Sequence, residues 1–290
     1  MKKKQLPVYK IQDFKHVDYK SQFYANDLNT HIKEHDFTKD SHKHDFYLVA
    51  LIISGSGKHE IDFNSYDVKP GSVFIMYPGQ THRWLLSSDI KGIVFFHSAE
   101  FYDQGFTIER IQNYPFYNSL HNLPLVLIKG KSVYTKIKLF FEEILNEFNS
   151  NSHLKFQRMH ALVCLVYIEL TRIYVPLLKV KNQNYLNQVS KLVDLIDKNY
   201  KKQKFPFEYA KLMNLSEKHV NRICKECLNK TTSELIYERV TIEAKRMLIH
   251  TTKSINEIAF ELGFDDNSYF SRFFKKQVDL TPKEFAEKFK

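Results

Sequence analysis

Cysteine and long apolar runs are what this chain has little of. Its 290 residues hold three cysteines, a usage that suits a reducing compartment. No run of about twenty uncharged apolar residues occurs, so no membrane-spanning helix is expected. The most apolar window, 161–168, is short and flanked by Arg158, His160 and Glu169, which suits a buried helix. The opening MKKKQLPVYK is basic, but no apolar stretch and small-residue cleavage site follow it. No secretion signal is expected, and the expected location is cytoplasmic. Cys224 and Cys227 have the CxxC spacing of a metal or redox pair. They fall inside a predicted helix with no second CxxC and no strand leading into them, and so read as two small residues on its inner face. Cys164 reads as core.

Positive charge is what the chain has in excess. Lys+Arg number 43 against 33 Asp+Glu, a formal +10, which favours a polyanionic partner. Residues 186–290 hold 20 Lys+Arg and 15 Asp+Glu, so both halves of the chain are basic. The length allows two domains, each with its own core.

The most informative stretch is 254–285, SINEIAFELGFDDNSYFSRFFKKQVDLTPKEF. Ser254 with Glu257 makes a capping box. Ile255, Ile258, Ala259 and Leu262 have helical spacing. Gly263 supplies the left-handed residue that ends a helix, Phe264 follows as a buried plug, and Asp266 or Asn267 caps a second helix. That helix is expected to bury Phe270, Phe273 and Phe274. It leaves Asn267, Ser268, Ser271, Arg272, Lys275 and Lys276 outside. Helix, tight turn and a second helix with a cationic outer face are the parts of a helix-turn-helix; pattern alone leaves an ordinary helical hairpin equally open.

Ala259, Leu262-Gly263-Phe264, Ser268-Tyr269-Phe270-Ser271-Arg272, Phe274-Lys275-Lys276, Thr281-Pro282 and Phe285 resemble the signature of AraC/XylS-type transcription regulators. One position departs from it: Asp279 stands before Leu280-Thr281-Pro282, where the family usually has Gly. Aspartate tolerates the left-handed conformation better than most residues, so the turn is expected to survive.

Upstream the organisation repeats. A lead-in helix is expected over 188–200, a short helix over 207–213, a turn at Asn214-Leu215, and a helix over 217–228 capped by Ser216. Ala210, Leu215 and Ser216 answer to Ala259, Phe264 and Asp265 or Asp266, an internal repeat that suits a tandem reader. A long helix over 232–248 lies between, and its Arg239 and Ala244-Lys245 match the family's linker helix. The resemblance implies base contacts from Lys218, Asn221 and Arg222 in the first reader and from Asn267, Ser268, Ser271 and Arg272 in the second. Lys225, Lys275 and Lys276 are better placed for phosphates.

The remainder divides into an arm over 1–30, a sensory domain over 31–130, a helical packing or dimerisation region over 131–178 and a linker over 179–185. The DNA-binding domain takes 186–290. Between 42 and 96, short apolar runs alternate with Gly55-Ser56-Gly57, Pro70-Gly71 and Pro78-Gly79, which predicts a small barrel or jelly roll. His42-Lys43-His44, Gly71, Pro78-Gly79 and His82 resemble a cupin. Metal-binding cupins add a Glu, but here the matching position is Leu48, followed by Val49, and Leu51 cannot ligate either; a three-histidine site at His42, His44 and His82 stays open, but the reading taken is no metal and no other cofactor. His42, His44, Tyr47, Tyr66, Tyr77, His82 and Trp84 are the candidate pocket, a mix of rings and polar tips that suits a sugar or an aromatic acid. Amphipathic helices are expected over 132–148 and 154–174. The expected class is multidomain α+β, and the expected protein is a non-enzymatic transcription activator. Its expected partners are double-stranded promoter DNA, a small-molecule effector, a second copy of itself and RNA polymerase. A metal-dependent cupin enzyme fused to a DNA reader, and a regulator whose cupin half only dimerises, are the alternatives.

Overall fold

A computed structural model describes residues 7–14, 17, 22–35, 40–104, 111, 114–117, 123–177 and 183–289. The chain forms two compact units, one built on Pro7–Tyr117 and Asn122–Leu177, the other on Leu178–Lys290.

The N-terminal unit contains β1 (Val8–Tyr9), β2 (Phe23–Asp27), α1 (Leu28–Glu34), β3 (His42–His44), β4 (Tyr47–Ser54), β5 (Gly57–Ile61), β6 (Asn64–Val68), β7 (Ser72–Met76), β8 (Thr81–Leu86), β9 (Lys91–His97), α2 (Ala99–Asp103) and β10 (Leu125–Leu127). Helices α3 (Lys131–Phe148) and α4 (Lys155–Leu177) follow. Among the described residues the strands make two five-stranded sheets, ordered β1-β3-β8-β5-β6 and β10-β7-β4-β9-β2. This is a cupin-like jelly roll of two sheets, not the closed barrel that the turn spacing also allowed.

The second sheet is buried on both faces, which explains why YLVALII reads as an unbroken apolar run. Phe46, Leu48, Ala50, Ile52, Phe74, Met76, Val94 and Phe96 share a core with Ile61 and Trp84 of the other sheet. The alternate side chains meet the helices: Phe95 lies 5.2 Å from Phe141 and 6.5 Å from Tyr167, centroid to centroid. Each fully buried Phe contributes on the order of 2–3 kcal/mol of transfer free energy.

The expected arm over 1–30 is corrected by β2 and α1. Phe23, Tyr24 and Ala25 are buried and pair in register with His97, Phe96 and Phe95, so this part of the arm is core sheet. Asp27 then caps α1 by accepting from Thr30 N–H at 3.1 Å. Residues 1–6, 15–16 and 18–21 of the expected arm, residue 178 at the end of the expected helical region, and 179–182 of the expected linker lie outside the described residues.

The C-terminal unit contains α5 (Gln183–Asn199), α6 (Pro206–Leu212), α7 (Glu217–Leu228), α8 (Thr232–His250), α9 (Ile255–Glu261), α10 (Asn267–Val278) and α11 (Pro282–Phe289). Helix α5 starts at Gln183, so the last residues expected to be linker are helical. Val189, Leu192, Val193 and Ile196 of α5 are buried, as are Leu235, Ile236, Val240, Ala244 and Leu248 of α8. Arg239 joins these two helices. Its Nε donates to Asp197 at 2.6 Å, its Nη1 to Glu243 at 3.1 Å, and its guanidinium lies 4.1 Å from the Tyr200 ring centroid.

Candidate functional site

The two helix-turn-helix units match closely. Leu215 N–H donates to Ala210 O at 3.0 Å, and Phe264 N–H donates to Ala259 O at 2.9 Å, so both turns close with the same bond. Ser216 caps α7 and Asp266 caps α10. Each of these helices is twelve residues long and ends on a left-handed non-glycine residue, Asn229 at φ 55° and Asp279 at φ 59°. The turn expected at Asp279 is therefore formed. Thr231 with Glu234 and Thr281 with Glu284 then make the same reciprocal cap at the start of the next helix.

On α7, Lys218, Asn221, Arg222 and Lys225 stand at helical spacing along one stripe. A shift of fifty residues carries them onto Ser268, Ser271, Arg272 and Lys275 of α10. Lys218, Arg222, Lys225, Ser268, Arg272, Lys275 and Lys276 are exposed, while Asn221, Asn267 and Ser271 are half-buried. The inner faces hold Val220, Ile223, Cys224 and Cys227 in α7, and Phe270 and Phe274 in α10. Burial pushes both thiols up to about 11, against nucleophilic chemistry. Phe273, expected inside, is half-buried between Phe264 and Tyr237, at 5.2 and 5.5 Å.

Two neighbours of the stripe carried no signal in the sequence. Arg222 Nη2 donates to His219 Nδ1 at 3.0 Å, and its guanidinium lies 5.8 Å from the Tyr185 ring. A groove lined by Ser216, Lys218, His219, Asn221 and Arg222 runs beside them. A second groove, lined by Tyr237, Tyr269, Arg272, Phe273, Lys276 and Gln277, lies along α10. Asn221 has a task apart from any ligand: its Oδ1 accepts from Thr232 N–H at 3.1 Å.

In the jelly roll, the rings of His42, His44, His82 and Trp84 lie close together. Ring centroids lie 4.3 Å apart for His42 and His82, and 4.9 Å for His44 and His82. Sequence reasoning missed His59, whose Nε2 is 2.9 Å from His82 Nδ1 and whose ring stacks on Trp84 at 3.3 Å. Alternation along β5 points His59 inward with Ile61. It also missed His31 of α1 and His35 at its C-cap, which continue the cluster behind Phe14.

The tautomers follow from the acceptors. His42 Nδ1 donates to Asp40 O at 2.9 Å and His44 Nδ1 to Phe46 O at 3.1 Å, which makes each Nε2 a lone-pair acceptor when the ring is neutral. Burial holds His42, His59 and His82 below the usual imidazole range and His44 down at about 3. His44 Nε2, His59 Nδ1 and His82 Nε2 are buried without a hydrogen-bond partner. Among the described residues no three His, Cys, Asp or Glu side chains are placed to hold a metal ion.

Tyr66 packs at the edge of this core and Tyr77 is half-buried at the β7–β8 turn, its N–H donating to Gln80 Oε1. Tyr47 is a correction. Its ring packs on His97 and Tyr117, at 5.7 and 4.6 Å, on the helix side of the sheet, because alternation along β4 gives the inward positions to Leu48, Ala50 and Ile52. An open cleft of about 280 Å³, lined by Ile11, Gln12, Gln22, Asp45, Phe46, Ser98 and Glu100, meets the histidines through Phe46, which stacks on His44 at 4.3 Å.

Two family models match the chain: an AraC-like ligand binding domain over residues 30–96 and a helix-turn-helix domain over 209–288. The lactose operon transcription activator of Staphylococcus xylosus is 23% identical over 83% of this chain and 84% of its own. The transcriptional activator RhaR of Mannheimia succiniciproducens is 22% identical over 86% and 87%. A solved structure of ToxT from Vibrio cholerae has 14% identity and a TM-score of 0.43, covering 92% of this chain and 98% of that one. No helix among the described residues is long and apolar enough to cross a membrane. With a sensory model and a DNA-reading model matched in order, and with activators aligned over more than four-fifths of its length, the chain belongs to the AraC/XylS family of transcription regulators.

Proposed function

We propose that this protein is a non-enzymatic transcription activator that reads two successive major-groove segments with α7 and α10 and answers to a small molecule held in its jelly roll. The repetition of one stripe at a fifty-residue interval carries the reading: Arg222 and Lys225 recur as Arg272 and Lys275 on helices with matching caps. Successive major-groove faces on one side of a duplex lie about 34 Å apart. Arg222 and Arg272 each grip guanine O6 and N7 with two hydrogen bonds. Asn267, Ser268 and Ser271 complete the base contacts of the second reader. Lys218 joins Arg222 at the bases of the first reader, and Lys225, Lys275 and Lys276 supply phosphate contacts, which set affinity and salt dependence.

The effector pocket is centred on His42, His44 and His82, with Trp84 and Tyr66 as its walls and Tyr77 at the rim. A sugar or an aromatic acid suits this set of rings and polar atoms, and operon activators stand among the relatives. The active species is a homodimer in the cytoplasm that engages RNA polymerase at the promoter. Selection of duplexes from a random pool by the full chain tests the DNA reading, which requires enrichment of two short motifs about one helical turn apart. Enrichment of a single motif, or none, contradicts it. Thermal shift against sugars and aromatic acids tests the sensory reading, and elemental analysis separates it from a metal-dependent enzyme.

A further inference from the structure

The two readers touch each other directly, through the loop between α5 and α6. Lys204, in that loop, extends a half-buried side chain to the far end of the second reader. Its Nζ donates to Leu262 O at 2.7 Å, to Lys201 O at 2.9 Å and to Tyr200 O at 3.4 Å. An ammonium has three donors, and all three are used here. Tyr200 and Lys201 follow the C-terminus of α5 in the first reader, and Leu262 is the C-cap of α9 in the second. One cation therefore caps the negative ends of two helices belonging to different readers. The same Nζ lies 5.0 Å from the ring centroid of Phe264, the plug of the second turn.

Gly263 makes this approach possible. At φ +76° it ends α9, and a Cβ built on it would stand 1.7 Å from the Lys201 carbonyl oxygen. Only a residue without a side chain lets the two loops meet. Around the buried contact, Lys201 pairs with Glu261 at 3.3 Å, and Lys253 pairs with the same carboxylate. Glu208 fixes the loop from below by accepting from Lys204 N–H and Phe205 N–H, both at 2.9 Å.

The geometry points to Lys204 as the positioning residue that sets the spacing and phase of the two readers, and with them the separation of half-sites the protein accepts. Helix α8 alone joins the readers along one line and leaves rotation about it to packing. The Lys204 clasp adds a second point of attachment away from that axis. Inserting one base pair between half-sites turns the second by about 35° and moves it about 3.4 Å along the duplex, a mismatch that a clasped pair cannot follow.

The inference rests on the two-reader function, and the test separates them. A duplex selected by the wild-type chain is remade with one or two base pairs inserted between its half-sites, and with one half-site scrambled. Wild type should lose affinity about tenfold or more on insertion. Lys204→Met keeps the aliphatic stem and removes the donors. It should lose less than about threefold on insertion while binding the single half-site within about twofold of wild type. Lys204→Arg, which retains a cation and several donors, should recover most of the discrimination. Equal discrimination in wild type and Lys204→Met, or a uniform loss on every duplex, overturns the inference and leaves the DNA reading standing. Should Lys204→Met fail to fold by circular dichroism, Lys204→Gln takes its place; failure of both reduces the residue to a structural role and overturns the inference too. If the wild type selects no paired motif, the DNA reading itself falls and takes this inference with it.

Discussion

Asn221 and Thr232 are bonded across the end of the first recognition helix, side-chain Oδ1 to backbone N–H at 3.1 Å, and the matching pair fifty residues on, Ser271 and Pro282, has no such bond to make. Proline lacks the N–H, so position 271 owes the next helix nothing. Asn221→Ala should therefore destabilise the chain by about 1 kcal/mol, read as a lower urea midpoint. Ser271→Ala should leave the midpoint within about 0.5 kcal/mol. Equal effects would show that the Asn221 bond carries no stability.

Arg222→Ala and Arg272→Ala should each weaken specific binding by about 1–3 kcal/mol and relax one base position. Lys275→Ala should weaken binding to all sequences alike and lower the salt slope by about 1. Anisotropy titrations on the selected duplex and a scrambled one, at several salt concentrations, distinguish the two patterns. An arginine variant that loses equally on both duplexes is only a phosphate contact.

The buried histidines give the N-terminal unit an acid limit. Burial, as the largest cause, lowers His31 and His44 to about 3 and His97 to about 4, from 6.5. Between those values and 6.5 the unfolded chain binds protons that the native one does not, so stability rises with pH in that window. It is complete above about pH 6.5 and is lost as pH falls towards 3, on the order of 1–2 kcal/mol per histidine by pH 5. Thermal melts from pH 7.5 to 4.5 should show a falling midpoint for this unit. A flat midpoint would mean the rings are protonated or hydrated in the native state.

Phe14 packs on Phe96 at 4.8 Å, His35 at 5.0 Å, Phe46 at 5.6 Å and His31 at 5.7 Å, so it closes the histidine cluster from the N-terminal side. Phe14→Ala should cost about 3–5 kcal/mol of stability in the N-terminal unit and speed hydrogen exchange in β3 and β8. A loss below about 1 kcal/mol would mean that the segment carrying Phe14 is readily displaced.

The DNA-reading half was legible because its signals are local. Ser254 with Glu257, Gly263, and Ser216 before Glu217 are caps and breakers that act within four residues, and the apolar pattern around them recurs in both readers. The sensory half depends on partners far apart in sequence. β2 reads FYAND, three residues buried on both faces followed by turn formers, and only its pairing with β9 makes it a strand. Tyr47 and His44 lie on different strands, β4 and β3, so which of them faces the interior is set by the pairing of each strand with distant partners. The cation that clasps the readers gave no signal at all: Lys204 sits in a lysine-rich loop where every residue looks solvated, and only Leu262 O, 58 positions away, marks it out.

Trp84 is the chain's single tryptophan, and its indole lies face to face with His59, which also bonds His82. All indole emission from this protein therefore originates at one spot inside the sensory half. A molecule that displaces or bonds those imidazoles changes the surroundings of the one emitter. The natural chain, without label or substitution, is its own optical gauge for finding the signal it answers to.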